Sequence, residues 1–93
     1  FDSGEIERAV FIYMQALEIE QNSETWYRIG LGKARLGDKA YAWEALKQSI
    51  ALDPNHAGSL EELGLINLAM GQPEQAELVL DRATELDPNR SRA

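Results

Sequence analysis

Residues 23–56 read SETWYRIGLGKARLGDKAYAWEALKQSIALDPNH, and the same frame returns 34 positions later. Gly30, Leu31, Gly37, Ala42, Leu46, Leu52, Asp53, Pro54 and Asn55 recur as Gly64, Leu65, Gly71, Ala76, Leu80, Leu86, Asp87, Pro88 and Asn89. A fixed period of this length marks stacked helical hairpins, because one such unit cannot bury its apolar face alone and must lean on its neighbour. Working outward, Gly4, Ala9, Ile19 and Asn22 precede Gly37, Ala42, Leu52 and Asn55 by 33 positions each. Residues 1–22 therefore read as the second half of a preceding unit, one residue short, with Gln21 where later units have proline. Its first half is expected outside the chain. The expected partition is a partial repeat at 1–22, whole repeats at 23–56 and 57–90, and a tail at 91–93.

Apolar periodicity and breakers predict five helices. The first spans Glu5–Glu20, with Ala9, Val10, Tyr13, Ala16 and Leu17 on one side. The second spans Glu24–Leu36, capped by Asn22 or Ser23, with Trp26, Ile29, Gly30, Lys33 and Ala34 inward. Gly37 stops it, since glycine enters the left-handed C-cap conformation without steric cost. Asp38 caps a third helix, Lys39–Ala51, with Ala42, Trp43, Leu46, Ser49 and Ile50 inward. Asp53-Pro54 ends that unit, and Asn55 is expected to cap a fourth helix, Ala57–Met70, with Leu60, Leu63, Gly64 and Asn67 inward. Pro73 opens the fifth, Pro73–Leu86, where its missing N–H costs nothing, and Ala76, Leu80, Ala83 and Leu86 face the core.

Small residues fix how closely two helices approach. Gly30 with Ala42, and Gly64 with Ala76, are expected to form the crossings inside the two hairpins, and Ala16, Ser49 and Ala83 the contacts between hairpins. Glycine within a helix costs about 1 kcal/mol relative to alanine, so its return at the matching place implies a packing need.

Together these features resemble the tetratricopeptide repeat family. Trp26, Ile29, Gly30, Ala42, Leu46 and Pro54 carry the match in one unit, and Leu60, Leu63, Gly64, Ala76, Leu80 and Pro88 in the next. Lys33 and Asn67 depart from the family's large aromatic late in the first helix. The resemblance implies an all-α, right-handed superhelix of antiparallel helix pairs that serves as a scaffold for protein or peptide partners. It also implies a concave floor built by the first helix of each pair. Tyr27, Arg28, Leu31 and Arg35 are then candidate groove residues from one unit, and Glu61, Glu62, Leu65 and Leu68 from the other. A mixed groove of this kind suits a peptide with apolar anchors. In the alternative reading Leu31 and Leu65 pack on neighbouring helices, and the module is structural. The places where chaperone-tail clamps of this family hold carboxylate-binding side chains carry Tyr27, Leu31 and Glu62 in one register and Arg28, Gly58 and Glu62 in the other. Glu62 would repel a carboxylate, so clamp activity is not expected.

Charge and composition bound the partners. Sixteen acids against nine bases leave a net charge of −7, which argues against a nucleic-acid backbone as ligand. The middle unit alone is slightly basic, through Arg28, Lys33, Arg35, Lys39 and Lys47. No apolar run approaches the roughly 18 residues of a membrane span, so no membrane insertion is expected. Cytoplasmic and periplasmic compartments are both compatible. The first helix also carries Phe11, Ile12 and Met14, making it apolar nearly all round, and these three residues are a candidate self-association surface.

Enzyme chemistry lacks parts. The chain has no cysteine, and His56, its single histidine, sits in a Pro-Asn-His turn where a solvated loop residue is expected. Ser49 and Ser59 have no paired base in any recognisable pattern. Glu61 and Glu62 are adjacent on a helix and so point about 100° apart. Gly30-Leu31-Gly32 lies inside a helix and makes no phosphate loop. Zinc and calcium spacings are absent, so neither metal nor other cofactor is expected. Trp26 and Trp43 are expected in the core.

Overall fold

The computed structural model describes residues 3–86; the Asp87-Pro88-Asn89 turn and the tail at 91–93 lie outside them. Five helices follow one another: α1 (Ser3–Ile19), α2 (Ser23–Arg35), α3 (Lys39–Leu52), α4 (Ala57–Ala69) and α5 (Pro73–Leu86). Each matches its sequence-based expectation to within two residues at either end. Among the described residues no strand forms. α2 with α3 and α4 with α5 make two antiparallel hairpins, and α1 leans on α2 as α3 leans on α4.

The turns explain why the period is strict. Gly37 and Gly71 hold φ of 88° and 77°. At the first, the Gly37 N–H donates to the Ala34 carbonyl and the Asp38 N–H to that of Lys33; at the second, Gly71 donates to Leu68 and Gln72 to Asn67. This paired termination satisfies two of the carbonyls that a helix end leaves unbonded, and it needs a left-handed residue. Helix starts are equally local. Asn22 Oδ1 accepts from the Glu24 and Thr25 N–H groups, and Asp38 Oδ1 accepts from that of Tyr41.

The start of α4 departs from expectation. Its cap is His56, whose Nδ1 accepts the Ser59 N–H at 3.1 Å. Asn55 lies one residue too early to cap, and its Oδ1 accepts instead from Arg82 on α5 at 2.7 Å. Gln21 replaces proline with a two-ended tether: its amide donates to the Leu17 carbonyl, and its Oε1 accepts the Trp26 indole N–H.

The core lies between helices as two clusters. Val10, Leu17, Ile29 and Ala45 join α1, α2 and α3, with Tyr13, Met14 and Trp26 packed against them. Ala42, Leu46, Leu63 and Ile66 join α3 and α4, with Tyr27, Trp43 and Val79 around them. Both tryptophans are thus half-buried, and each indole N–H is satisfied: Trp43 donates to the buried Asn67 Oδ1 at 3.1 Å. Asn67 therefore links α4 to α3 where the family has an aromatic. Lys33, the matching departure, sets its Nζ 4.6 Å from the centre of the Tyr41 ring. Three inward expectations fail. Ala9 and Ala16 are exposed because no described helix crosses that side of α1, and Leu86 is exposed at the last residue of α5.

The crossings are tighter than small-on-small contacts, because each glycine receives a leucine. A Cβ on Gly30 would lie 2.8 Å from Leu46 Cγ and 3.4 Å from the Ala42 carbonyl oxygen; one on Gly64 would lie 2.5 Å from Leu80 Cγ. Gly32 makes a third close approach, where a Cβ would lie 2.4 Å from Val10 Cγ2 on α1.

Candidate protein-interaction site

The eight residues expected to share one groove fall into two groups. Arg28, Leu31 and Arg35 lie on the side of α2 that faces α1. With Gly32 they form one wall of a cleft of about 370 Å3, whose other wall is Glu5, Ile6, Ala9, Val10 and Tyr13. Glu61, Glu62, Leu65 and Leu68 do not line this cleft. They belong to α4, where Leu65 and Leu68 are 48% and 49% exposed and the two glutamates half-buried.

Tyr27 stands between the groups and is already engaged. Its ring packs against that of His56, with centroids 4.9 Å apart. Because His56 Nδ1 accepts from Ser59, the proton of the neutral ring sits on Nε2, which donates to Glu24 Oε2 at 2.7 Å. The other Glu24 oxygen lies 3.3 Å from Arg28 Nε. A histidine expected as a solvated loop residue thus joins α2 to α4, with its side chain 15% exposed. The signal available in the sequence was positional: a histidine directly before a helix can cap it.

Beneath this contact runs a chain of hydroxyls. Ser49 Oγ lies 2.6 Å from Ser59 Oγ and donates to the Ser23 carbonyl at 2.9 Å, while Ser23 Oγ donates to the Ser49 carbonyl at 3.0 Å. One assignment satisfies every proton: Ser59 donates to Ser49, Ser49 to Ser23 and Ser23 to Ser49. Ser49 and Ser59 are fully buried, and no His56 ring nitrogen bonds a serine hydroxyl. The arrangement can hold three helix ends together; it does not present a nucleophile.

Of the residues read as a self-association surface, Phe11 and Ile12 are each 58% exposed. Met14 differs. It turns inward and packs against the Val10–Leu17 cluster, since it sits on the α2-facing side of α1. No described helix is long and apolar enough to cross a membrane.

Known proteins place this architecture. Tetratricopeptide repeat protein 8 of Homo sapiens is 28% identical over 79 residues, which cover 81% of this chain and 15% of that protein. Photosystem I assembly protein Ycf3 of Rippkaea orientalis is 31% identical over 93 residues, covering 88% of this chain and 54% of that one. The chain therefore spans about half the length of these relatives, or less. Among solved structures, MamA superposes with a TM-score of 0.84 at 20% identity over 96% of this chain and 53% of its own. A second, MamA MSR-1 C2, gives 0.80 at 24% identity over 92% and 50%. The family described as the Cilia and flagella-associated protein 70 middle TPR-like domain matches residues 2–93. With the 34-residue period, the hairpin geometry and that match in agreement, the chain belongs to the tetratricopeptide-repeat family, in the group of this TPR-like domain.

Proposed function

We propose that the chain is a non-catalytic protein-interaction scaffold whose α2 and α4 hold a peptide segment of a partner protein. The observation that carries this reading is the pair Leu65 and Leu68, about half exposed on a helix whose other aliphatic side chains, Leu60, Leu63 and Ile66, are buried. Apolar side chains left open on one face of α4, with Glu61 and Glu62 on the same helix, suit a peptide with apolar anchors and polar flanks. The assignment of residues 23–56 and 57–90 as two whole repeats, with 1–22 a partial one, belongs to this reading. The resemblance to a protein named for assembling Photosystem I supports a role in bringing proteins together.

The test is to capture the partner with the whole gene product, map the bound peptide, and repeat with Leu65→Asp and Leu68→Asp together. Capture should fall by at least about tenfold while helicity stays the same. Undiminished capture would rule the groove out. A second reading, a structural or self-assembly module, is favoured by the exposed side chains of α1, where Phe11 and Ile12 are joined by Ile19 at 90% exposure. It wins if assembly responds to changes at Phe11 and Ile12 and partner capture never depends on α4.

A further inference from the structure

His56 joins the two hairpins through a ring whose nitrogens play opposite parts. Nδ1 accepts the Ser59 N–H at 3.1 Å and so caps α4, while Nε2 donates to Glu24 Oε2 of α2 at 2.7 Å. The oxygens of Asn, Asp, Ser and Thr caps remain acceptors near neutral pH, but an imidazole nitrogen accepts only while the ring is neutral. A second proton turns Nδ1 into a donor facing the donor it used to receive. It also sets a positive charge at a helix N-terminus, where the dipole opposes it. Turning the ring over gives no relief, because both nitrogens then carry hydrogen.

The ring and its capped amide are anchored to different helices. Glu24 and the Tyr27 ring, 4.9 Å away, hold His56 from α2, and Arg28 lies 3.3 Å from the other Glu24 oxygen. Ser59 is held from α3, since its buried hydroxyl lies 2.6 Å from that of Ser49. The turn before α4 brings Asp53, whose carbonyl accepts the His56 N–H and whose Oδ1 accepts that of Asn55. From α5, Arg82 reaches the Asn55 side chain, and α4 itself carries Glu61 and Glu62 in its second turn. Protons reach the site, because the His56 side chain is 15% exposed and that of Glu24 52%.

We propose that His56 is a proton-operated joint: in acid its ring stays with Glu24 and releases Ser59, so the first turn of α4 uncaps while both hairpins stay folded. The contact with Glu24 becomes a charge-assisted bond and strengthens as the cap is lost. These two changes act on overall stability in opposite directions, so the joint shows in the Ser59 amide and not in the melt. It stands whether or not α4 holds a peptide.

The experiment is nitrogen-15 NMR of the 93-residue protein between about pH 8 and about pH 5, a span that brackets histidine titration. At the upper end the ring should carry its proton on Nε2. As the ring gains its second proton, the Ser59 amide should shift with the same midpoint. Its exchange protection, corrected for the intrinsic rate, should fall about tenfold, as for one lost hydrogen bond. Amides within α3 should keep theirs. His56→Asn, which caps without titrating, should hold the Ser59 amide constant across the span. Glu24→Gln should move the midpoint to lower pH, because the carboxylate that favours the charged ring is gone. A ring protonated on Nδ1 at high pH, a Ser59 amide that does not follow the ring, or the same acid response in His56→Asn overturns the proposal. So does a midpoint indifferent to Glu24→Gln, and so does protection lost across α3 at that midpoint, which would make the event global unfolding.

Discussion

A Cβ on Gly64 would lie 2.5 Å from Leu80 Cγ and 3.1 Å from Val79 Cγ2, so the crossing of α4 and α5 has no room for a side chain. The obstructing atom is the branch point of a leucine, which cannot swing aside as the end of a flexible chain could. Alanine would gain about 1 kcal/mol of helix propensity but meet that clash. Leucine adds three more carbons to it, and overpacking of this kind costs about 1–3 kcal/mol or more. Gly64→Leu is therefore expected to lower Tm by roughly 10 °C, at 4–8 °C per kcal/mol for a domain of this size. Combining it with Leu80→Ala should recover part of the loss, because knob and hole are then exchanged; additive losses in that double-mutant cycle would contradict the crossing. The buried hydroxyls make a second prediction. Ser49→Ala leaves the Ser59 hydroxyl without its acceptor and removes the hydroxyl bond to the Ser23 carbonyl, at a cost of about 1–3 kcal/mol in urea unfolding. Ser49→Ala with Ser59→Ala should cost less than the two single changes summed, because the second change removes the stranded donor.

At the scale of helices, the ends were the most legible feature of the sequence, and the structure gives the reason. Gly37 and Gly71 act through their own backbone conformation, so each announces a stop without reference to anything distant. Asn22 and Asp38 cap through side chains two or three residues from their targets. What the sequence concealed depends on partners far along the chain. Asn55 was expected to cap α4, but Arg82 holds it, 27 residues away. His56 takes the cap because its ring is also fixed by Glu24 and Tyr27 of the neighbouring hairpin. The candidate site was half legible for the same reason. The α2 residues Arg28, Leu31 and Arg35 could be named from repeat position, whereas their opposite wall, Ile6, Ala9 and Tyr13, required knowing which residues of α1 meet α2. The stop glycines yield a prediction distinct from that for Gly64. Nothing lies within 4 Å of a Cβ built on Gly37 or Gly71, so alanine there meets only backbone strain. Each such change should cost about 1–2 kcal/mol. Gly37→Asn should cost less than Gly37→Ala, since asparagine tolerates the left-handed conformation better; equal losses in thermal melts would point to something other than backbone conformation.

For the whole molecule, the repeat shows how α1 differs from the helices built like it. The offset of 33 places Ile12 where α3 has Ala45, which is 1% exposed and shares a cluster with Val10 and Leu17 of α1. Each second helix thus offers this position to the helix pair before it. Ile12 occupies it with a larger side chain that is 58% exposed, and Phe11 and Ile19 extend the apolar surface along the same side of α1. An open stripe of this kind favours association, because contact removes apolar area from water at about 25 cal/mol per Å2. The isolated 93-residue chain is expected to self-associate reversibly, with sedimentation coefficients that rise with concentration. Phe11→Glu with Ile12→Lys should hold it monomeric and alter stability by no more than about 0.5 kcal/mol, as surface changes do. A chain that stays monomeric at the highest concentrations reached, or that associates equally well with both charges in place, would show that the exposed side of α1 holds nothing together.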